Sequence, residues 1–427
     1  MSLDRRQFLT RGLALGAACG LSGRLASPAI GRPANAPYSI FDFAGGQALA
    51  GKNEETSDFT TLIKEAVAQG SPISFPSGRY PLRTLTTKNR CVSLISDAPI
   101  DIVCESGATF IAGQELSGNN AALLGLQNSN PATPGTKTTF RFKGGHFDGS
   151  QLTNSGSFGI GMLDIFQYAD PVFENISGYG GTSDFTAGRA GAGWADTLLT
   201  THNCFRERVT NLKGKGFFDT LLYLSGDNRG DQLDGIGEQA LVSGLEAARC
   251  GNGVVMKRDH VGQVIQNFTI TDCLNGVIGS SADGRPANQG KRTHVQNGTL
   301  RRIQGRPVVI FGTDVLAENL TIEDFGLQLA DLNSVTGTRR GNEVAGIDFR
   351  GAKNGQAINN AISLKKWFGM DGPSARQRYG IALRKDANHE PTQGCTISNN
   401  RISGFATPVF VEKGCEDNRI PSTIMPR

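Results

Sequence analysis

The sequence of 427 residues lacks any block of basic residues, and its formal net charge of +4 is small for that length. Binding to nucleic acid therefore has no compositional support. Proline, with 17 residues, is not enriched, and the glycines follow no collagen-type period. Neither a Cys-x-x-Cys pair nor a cysteine and histidine set of the zinc-binding kind is present. No glycine fingerprint of a nucleotide site follows a strand and opens a helix, so no cofactor is expected.

Glycine is the residue that the sequence has in excess. Its 56 residues are about double the ordinary usage. Hydrophobic residues make up 38% of the chain, which is enough for a sizeable core and excludes global disorder. Scattered glycine beside an ordinary apolar fraction is typical of many tight turns, as in all-β or solenoid proteins. The length would allow two or three average domains, but elongated repeat folds exceed that average as one domain.

The N-terminus carries an arginine pair before an apolar run. Asp4-Arg5-Arg6-Gln7-Phe8-Leu9 precedes an uncharged stretch from Gly12 to Leu21, which is too short to span a bilayer. This segment resembles the twin-arginine export signal. The resemblance implies that residues 1–36 are a signal peptide and leader, recognised by the twin-arginine translocase. We expect a periplasmic or secreted protein that folds before export, with residues 37–427 as one domain and no later membrane contact.

The cysteines are spaced like repeated core positions. Eight are present, of which Cys19 lies in the leader, and seven is an odd number for disulfide pairing. Cys250 and Cys273 each stand two residues before an Asn-Gly pair and are 23 residues apart. Cys395 and Cys415 each follow a glycine and precede an Asn-Arg-Ile run. Both spacings predict equivalent buried positions in successive repeats rather than a disulfide framework.

A second pair of segments gives the same period. Asp196–Leu199 recurs as Asp219–Leu222, again 23 residues later, and a period between 20 and 50 residues indicates a stacked array. Short strands with alternating apolar positions recur in the second half, for example Asn252–Met256 and Gly380–Leu383, while helical windows are nearly absent. We therefore predict an all-β fold, a single-stranded right-handed parallel β-helix with one coil per repeat.

The beginning of the domain has a different pattern. Phe59–Gln69 has apolar residues at helical spacing, with Ser57 or Asp58 placed to cap its start. Pro72–Tyr80 and Gly144–Gly149 have the composition of strand and turn. Together these segments resemble the opening of the pectate-lyase-like β-helix superfamily. The resemblance implies one helix that caps the N-terminal end and a polysaccharide partner. Some relatives are homo-oligomers, so a homo-oligomer is also possible here. The motifs do not identify a subfamily.

Alternation along the strands predicts which side chains face solvent. With the repeats aligned, Val254 and Met256 face the core and Lys257 faces outward. At a coil spacing of about 4.8 Å, His202 and Lys257, two coils apart, are expected roughly 10 Å from each other. The aligned outward positions are Phe166, His202, Ser225, Lys257, Ser280, Phe311, Arg350 and Arg384.

Ionisable residues concentrate along this column and in the long segments beside it. Such segments commonly carry binding and catalytic residues on a rigid scaffold, and aromatic side chains there can stack on sugar rings. We predict a site for an extracellular or envelope polysaccharide. Its candidate catalytic residues are Lys257, Asp259, His202, Asp227, Tyr223 and Arg258, and its candidate substrate-binding residues are Trp194, His260, Arg350 and Arg384.

Elimination from a uronate is one chemistry that these residues suit. It needs a base for the sugar C5 proton, a cation beside the carboxylate and an acid for the leaving oxygen. Lys257 or His202 would be the base, and Tyr223 the acid. Arg258 or Arg384 would neutralise the carboxylate.

Hydrolysis is the other chemistry, and a purely structural interpretation also stays open. Hydrolysis needs two carboxylates roughly 5–10 Å apart, for which Asp227 can pair with Asp259, Asp231 or Asp234. Aspartates also commonly hold turns through bonds to the backbone, without any catalytic role. A non-catalytic carbohydrate-binding or envelope-associated β-helix is therefore the alternative to an enzyme. Ca²⁺ in the acidic 226–239 segment is a further alternative, although that segment lacks defined ligand spacing.

Overall fold

In the part of the chain that the structure describes, short strands follow one another at regular intervals and helix is almost absent. The structure is a computed structural model that describes residues 37–43, 57–68, 72–87, 89–129, 139–153, 159–181, 195–226, 240–257, 261–280, 291–326, 344–365 and 378–421. The predicted leader, residues 1–36, lies outside these residues. All the described residues belong to one compact unit.

The described residues contain one α-helix, α1 (Thr60–Ala68), and two 3₁₀ turns, Ile40–Asp42 and Gln114–Leu116. The strands of the described residues are, in chain order, β1 (Tyr38–Ser39), β2 (Ile73–Phe75), β3 (Gly78–Leu82), β4 (Arg90–Ser96), β5 (Ile100–Cys104), β6 (Ala108–Ala112), β7 (Ala121–Asn128), β8 (Phe140–Lys143), β9 (His146–Asp148), β10 (Ile160–Phe166), β11 (Val172–Glu174), β12 (Ser177–Tyr179), β13 (Thr197–His202), β14 (Arg208–Thr210), β15 (Lys213–Lys215), β16 (Thr220–Ser225), β17 (Leu241–Ser243), β18 (Glu246–Ala248), β19 (Asn252–Lys257), β20 (Val264–Thr271), β21 (Asn275–Ser280), β22 (His294–Ile303), β23 (Val308–Thr313), β24 (Leu316–Glu318), β25 (Thr321–Phe325), β26 (Val344–Lys353), β27 (Gln356–Ile358), β28 (Ala361–Ser363), β29 (Arg378–Arg384), β30 (Thr396–Ser398), β31 (Arg401–Ser403) and β32 (Thr407–Val411).

These strands form two parallel sheets, which confirms the predicted parallel β-helix. The front sheet takes one strand from each coil, in the order β4, β7, β10, β13, β16, β19, β21, β23, β26, β29, β32. The remaining strands form the back sheet. Thr197 pairs with Thr220 across β13 and β16, so the 23-residue period of the sequence is one turn of the coil.

Asparagine turns the chain in the back sheet. Asn175, Asn211, Asn319, Asn359 and Asn399 lie between the paired short strands of successive coils, each with φ between 53° and 59°. Asparagine tolerates this left-handed region better than most residues. The Nδ2 of Asn211 donates to the Oδ1 of Asn175 at 2.9 Å. The recurring asparagine is therefore a local signal for a corner at the same place in each coil.

The N-terminal helix packs against the first coils, as predicted. The Oδ1 of Asp58 accepts a hydrogen bond from the backbone nitrogen of Thr60 at 2.9 Å and so caps the helix. Leu62, Ile63 and Val67 face inward and are buried. Burial raises the pKa of Asp58, but hydrogen bonds to Thr60, Thr84 and Arg83 outweigh it and hold the pKa below its usual value.

The first coils are filled by stacked aromatic rings. Tyr80 pairs with Phe110 and Phe110 with Phe147, so the three residues occupy the same inward position on successive coils. The ring centroids of Phe110 and Phe147 lie 4.9 Å apart at an interplanar angle of 16°. Phe75 meets Phe110 edge-on at 5.0 Å. All four rings are buried.

The seven cysteines of the described residues are free and buried, and one of the two predicted equivalences holds. The backbone nitrogen of Cys250 lies 3.3 Å from the Sγ of Cys273 on the next coil, as the 23-residue spacing predicts. The prediction for Cys395 and Cys415 is wrong. Cys395 lies beside Asn418, whose Oδ1 accepts from its backbone nitrogen at 2.9 Å, and Cys415 lies in the preceding turn. Cys395 stands five residues before its Asn-Arg-Ile run and Cys415 only three before the next one, so the two cysteines do not share a register.

A buried glutamate makes the stability of this fold depend on pH. Glu207 is 4% exposed, and burial raises its pKa to about 7, although a hydrogen bond from the Thr201 side chain opposes the rise. The pKa of Glu207 in the folded chain lies above its value of 4.5 in the unfolded chain. Its contribution to stability is therefore fully present below pH 4.5 and is lost as the pH rises through about 7. We expect the free energy of unfolding to fall by about 3 kcal/mol between pH 4.5 and pH 8.

Glu207→Gln should abolish this pH dependence, because an amide does not ionise. Denaturant unfolding of wild type and variant at pH 4.5 and pH 8 measures it. Glu246→Gln is the control, since Glu246 is an exposed residue of β18 in a surface ion pair with Lys213, and it should keep the wild-type dependence. Equal pH dependence in wild type and Glu207→Gln would contradict the assignment.

Candidate functional site

The predicted outward column exists in the front sheet. Phe166 pairs with His202, His202 with Ser225 and Ser225 with Lys257. Further along the sheet, Arg350 pairs with Arg384. We call this row the outward column; its members are Gln127, Phe166, His202, Ser225, Lys257, Ser280, Phe311, Arg350 and Arg384.

His202 is held by a carboxylate from the neighbouring coil. Asp164 lies on β10 opposite Thr200, and its Oδ1 lies 2.9 Å from the Nε2 of His202. The two side chains are 23% and 29% exposed, respectively. The contact is close but lacks hydrogen-bond geometry. A carboxylate beside Nε2 favours the tautomer with the hydrogen on that nitrogen, which leaves the lone pair of the neutral ring on Nδ1. His202 can therefore accept a proton at Nδ1.

An aromatic ring and an arginine complete the setting of this histidine. The rings of Phe166 and His202 stack with centroids 4.3 Å apart and an interplanar angle of 11°. The guanidinium carbon of Arg90 lies 4.8 Å from the centroid of Phe166, and its Nη2 lies 3.8 Å from the Oδ2 of Asp164. We call Arg90, Asp164, Phe166 and His202 the histidine cluster. It fixes both the plane of the imidazole and the position of its carboxylate partner.

The register brings two more predicted residues to the same part of the face. Tyr223 lies on β16, pairs with Thr200 and Val255, and is half-buried. Lys257 ends β19, two coils from His202, and is also half-buried. At a strand separation of about 4.8 Å these two coils span roughly 10 Å. His202, Tyr223 and Lys257 thus lie on three consecutive coils.

The other predicted residues of this region lie outside the described residues. They are Trp194, Asp227, Arg258, Asp259 and His260. Their roles stay predictions, and so does the hydrolytic pair of Asp227 with Asp259.

A second cluster of charges lies further along the outward column. The Nη2 of Arg350 lies 2.8 Å from the Oδ2 of Asp348, and the Nε of Arg384 lies 3.6 Å from its Oδ1. Burial raises the pKa of Asp348, but the guanidinium groups of Arg350, Arg384 and Arg306 outweigh burial and keep it below its usual value. We call Arg306, Asp348, Arg350 and Arg384 the arginine cluster.

Arg306 is the third arginine of this cluster, and two aromatic rings border the cluster. Burial lowers the pKa of Arg306 to about 10, and the positive charges of Arg350 and Arg384 add to that lowering. The guanidinium carbon of Arg384 lies 5.5 Å from the ring centroids of both Tyr379 and Phe410. Those two rings stack with centroids 4.5 Å apart. Arg384 therefore has an aromatic side as well as a carboxylate partner.

The sequence prediction missed four residues of these clusters. Asp164 and Asp348 stand two residues before Phe166 and Arg350, so they occupy the next outward position of the same strands. Strand alternation was a sufficient signal for both. Arg90 and Arg306 lie at or just before the start of a strand, where alternation gives no direction, and only the folded chain brings them to the face.

The described residues show no metal centre, because no group of three or more His, Cys, Asp or Glu side chains among them could hold an ion. The acidic 227–239 segment lies outside them. A separate polar cleft of about 410 Å³ is lined by Arg83, Gln114, Glu115 and Gln151. Within the described segments, no helix is both long and apolar enough to span a membrane.

The chain resembles known proteins in its structure rather than in its sequence. No protein-family model matches the sequence, and no curated protein matches it significantly. The tailspike of E. coli bacteriophage HK620, solved with a pentasaccharide, is 13% identical with a TM-score of 0.59; the match covers 90% of this chain and 64% of the tailspike, so this chain spans about two thirds of it.

Two further structures have the same fold. An N-terminal fragment of bacteriophage phi29 gene product 12 is 11% identical with a TM-score of 0.56, over 91% of this chain and 62% of the fragment. PfbA, a surface adhesin of Streptococcus pneumoniae, is 10% identical with a TM-score of 0.50, over 92% of this chain and 93% of the adhesin. At these identities the likeness establishes the parallel β-helix fold.

Proposed function

We propose that the protein is an enzyme that processes an extracellular or envelope polysaccharide along the outward column, with His202 as its general base. The observation that carries the proposal is the 2.9 Å contact between the Nε2 of His202 and Asp164. In the tautomer that this contact favours, Nδ1 is the proton acceptor on a partly exposed ring. Phe166 fixes the plane of that ring, and a base of fixed orientation is what proton transfer requires.

The shape of the face suits an extended polymer. The outward column runs across successive coils of the front sheet, so a glycan lying along it would meet the same strand position on each coil. The HK620 tailspike, which has the same fold, was solved with a bound pentasaccharide, and this supports a glycan as the ligand here. The proposal includes export of the chain through the leader of residues 1–36 and membership of the pectate-lyase-like superfamily.

His202 can act in either of two chemistries. In hydrolysis its Nδ1 would take a proton from the attacking water, whose oxygen would bond to the anomeric carbon as the glycosidic C–O bond breaks, and Tyr223 or Lys257 would protonate the leaving oxygen. In elimination it would take the proton from the sugar C5, the electron pair would form the C4–C5 double bond, and the glycosidic oxygen would leave and be protonated by Tyr223 or Lys257. In both cases Asp164 stabilises the imidazolium that forms and holds the ring in place.

The first test is a panel of acidic and neutral polysaccharides incubated with the purified protein, with and without EDTA. New reducing ends together with ultraviolet absorbance of unsaturated uronate ends would identify a lyase, and reducing ends alone would identify a hydrolase. Loss of activity in EDTA would support Ca²⁺ in the acidic 226–239 segment. Binding to a glycan without either product would overturn the enzyme proposal in favour of a non-catalytic carbohydrate-binding protein.

Asp164→Asn is expected to lower kcat by at least about 100-fold with little change in KM. The amide removes the charge that stabilises the imidazolium and can hold the ring with the wrong nitrogen protonated. Initial rates on the best glycan of the panel measure the effect. Asp272→Asn, which breaks an aspartate–arginine pair at the back sheet, is the matched control and should keep the wild-type rate. Equal rates for the two variants would contradict the role of Asp164.

A further inference from the structure

The contact between His202 and Asp164 needs support from outside itself. The Oδ1 of Asp164 lies 2.9 Å from the Nε2 of His202, but the pair lacks hydrogen-bond geometry. A carboxylate held by that contact alone is free to rotate about its side-chain bonds, and the imidazole then loses its partner. Because a general base needs its ring and its partner in one arrangement, a further group must hold the carboxylate.

Arg90 contacts both neighbours of the imidazole. Its Nη2 lies 3.8 Å from the Oδ2 of Asp164, the other oxygen of that carboxylate. Its guanidinium carbon lies 4.8 Å from the ring centroid of Phe166, and that ring stacks on His202. The Arg90 and Asp164 side chains are 19% and 23% exposed, so water screens this ion pair less than one on an open surface. One guanidinium therefore restrains His202 by two separate routes.

The Arg90 side chain reaches these neighbours across an intervening strand. Arg90 begins β4 and Asp164 lies on β10, with β7 between them in the front sheet. Two strand separations amount to roughly 10 Å. The backbone at Arg90 is fixed, because its carbonyl oxygen accepts a hydrogen bond from the backbone nitrogen of Thr86 at 2.9 Å. The side chain therefore has to cross the outer surface of β7.

Gly125 leaves the path across β7 open. It pairs with Asp164 and lies between the core residues Leu124 and Leu126, so its position faces outward. Gly125 is nevertheless buried, because Arg90 lies over it: a Cβ at this position would overlap the Cδ and Nε of Arg90. Any side chain at residue 125 would therefore occupy the space that the Arg90 side chain uses.

We propose that Arg90 is a positioning residue for the general base His202, and that Gly125 is the residue that admits it. The inference rests on the proposed function and deepens it, because both residues act through Asp164 and Phe166 and neither acts on the substrate. The overlap at Gly125 falls on the far part of a flexible side chain and not on backbone. Substitution there therefore displaces Arg90 while the strand keeps its place.

Gly125→Ala tests this without changing any side chain of the histidine cluster. We expect kcat on the best glycan of the panel to fall about tenfold with KM nearly unchanged, because a misplaced base slows the chemical step and leaves binding intact. Arg90→Gln should have the same effect. Gly161→Ala on β10 is the matched control. Its Cβ would have no atom nearer than the backbone oxygen of Ala121 at 3.8 Å, and neither glycine has a left-handed backbone.

The double variant Arg90→Gln with Gly125→Ala shows whether the glycine acts through the arginine. We expect its kcat to equal that of either single variant, because the second change removes a side chain that the first has already displaced. Losses that multiply to about 100-fold would overturn the link between the two residues.

Nitrogen-15 NMR of the histidine side chains is a readout that does not depend on turnover. The sequence has five histidines, and His202→Ala identifies the resonances of His202. At a pH where the ring is neutral, the wild type and Gly161→Ala should show one tautomer with the hydrogen on Nε2. Gly125→Ala and Arg90→Gln should show shifts averaged between both tautomers.

The two readouts separate failure of this inference from failure of the proposed function. Resonances of His202 that are the same in the wild type, Gly125→Ala and Arg90→Gln would overturn the positioning role. Averaged shifts in both variants, with no product from any glycan of the panel, would leave the positioning role standing and refute only the proposed catalytic activity.

Discussion

Replacing His202 by alanine is expected to lower turnover of the polysaccharide by about 10²–10⁴-fold, the usual contribution of a general base. Affinity for the glycan should stay close to that of the wild type, because the rest of the outward column, including the arginine cluster, is unchanged. Initial rates and equilibrium binding on the same oligosaccharide measure the two effects separately. A loss in kcat with little change in binding is what a catalytic rather than a binding residue produces.

His146→Ala is the control for this experiment. His146 lies on β9 of the back sheet, half-buried, with its Nδ1 2.9 Å from the Oγ of Ser177. It is a histidine of similar burial on the opposite side of the coil and should retain wild-type turnover. If His202→Ala also retained it, the general base would lie elsewhere, and Lys257 would become the first alternative on the described face.

Phe110→Ala is expected to reduce the free energy of unfolding by about 3–5 kcal/mol. The ring is fully buried between Phe75 and Phe147 on neighbouring coils, so its removal leaves a cavity that a stack of parallel strands closes only in part. Denaturant unfolding monitored by circular dichroism measures the change. Tyr38→Ala, at a ring that is 45% exposed, should change stability by much less, and a comparable loss in the two variants would show that the aromatic stack is not a main source of stability.

The fold was predictable because each coil repeats the same local requirements. The 23-residue recurrence of Asp196–Leu199 gave the length of one coil, and alternation within the strands gave the face of each residue. The recurring left-handed asparagines were a further signal in the same coils. The error at Cys415 arose because a short motif can repeat without preserving the register, which only the hydrogen-bonded ladder between coils determines.

The sequence predicted which residues share the outward column, but not which side chains of neighbouring coils contact them. Strand alternation together with the repeat placed His202 and Lys257 in one column, and the paired strands confirm that register. The partners of His202 come from the coil before it, and the reach of Arg90 over Phe166 depends on side-chain packing that no sequence pattern encodes. The segments beside the column vary in length from coil to coil, so the repeat carries no information about Asp227 or Asp259.

The most direct test of the central claim is a crystal structure of His202→Ala with an acidic oligosaccharide of the panel bound. The account predicts sugar density along the outward column of the front sheet, with a glycosidic bond near Ser225 and Lys257. Density in the polar cleft beside Arg83, or along the back sheet, with the outward column empty, would contradict it.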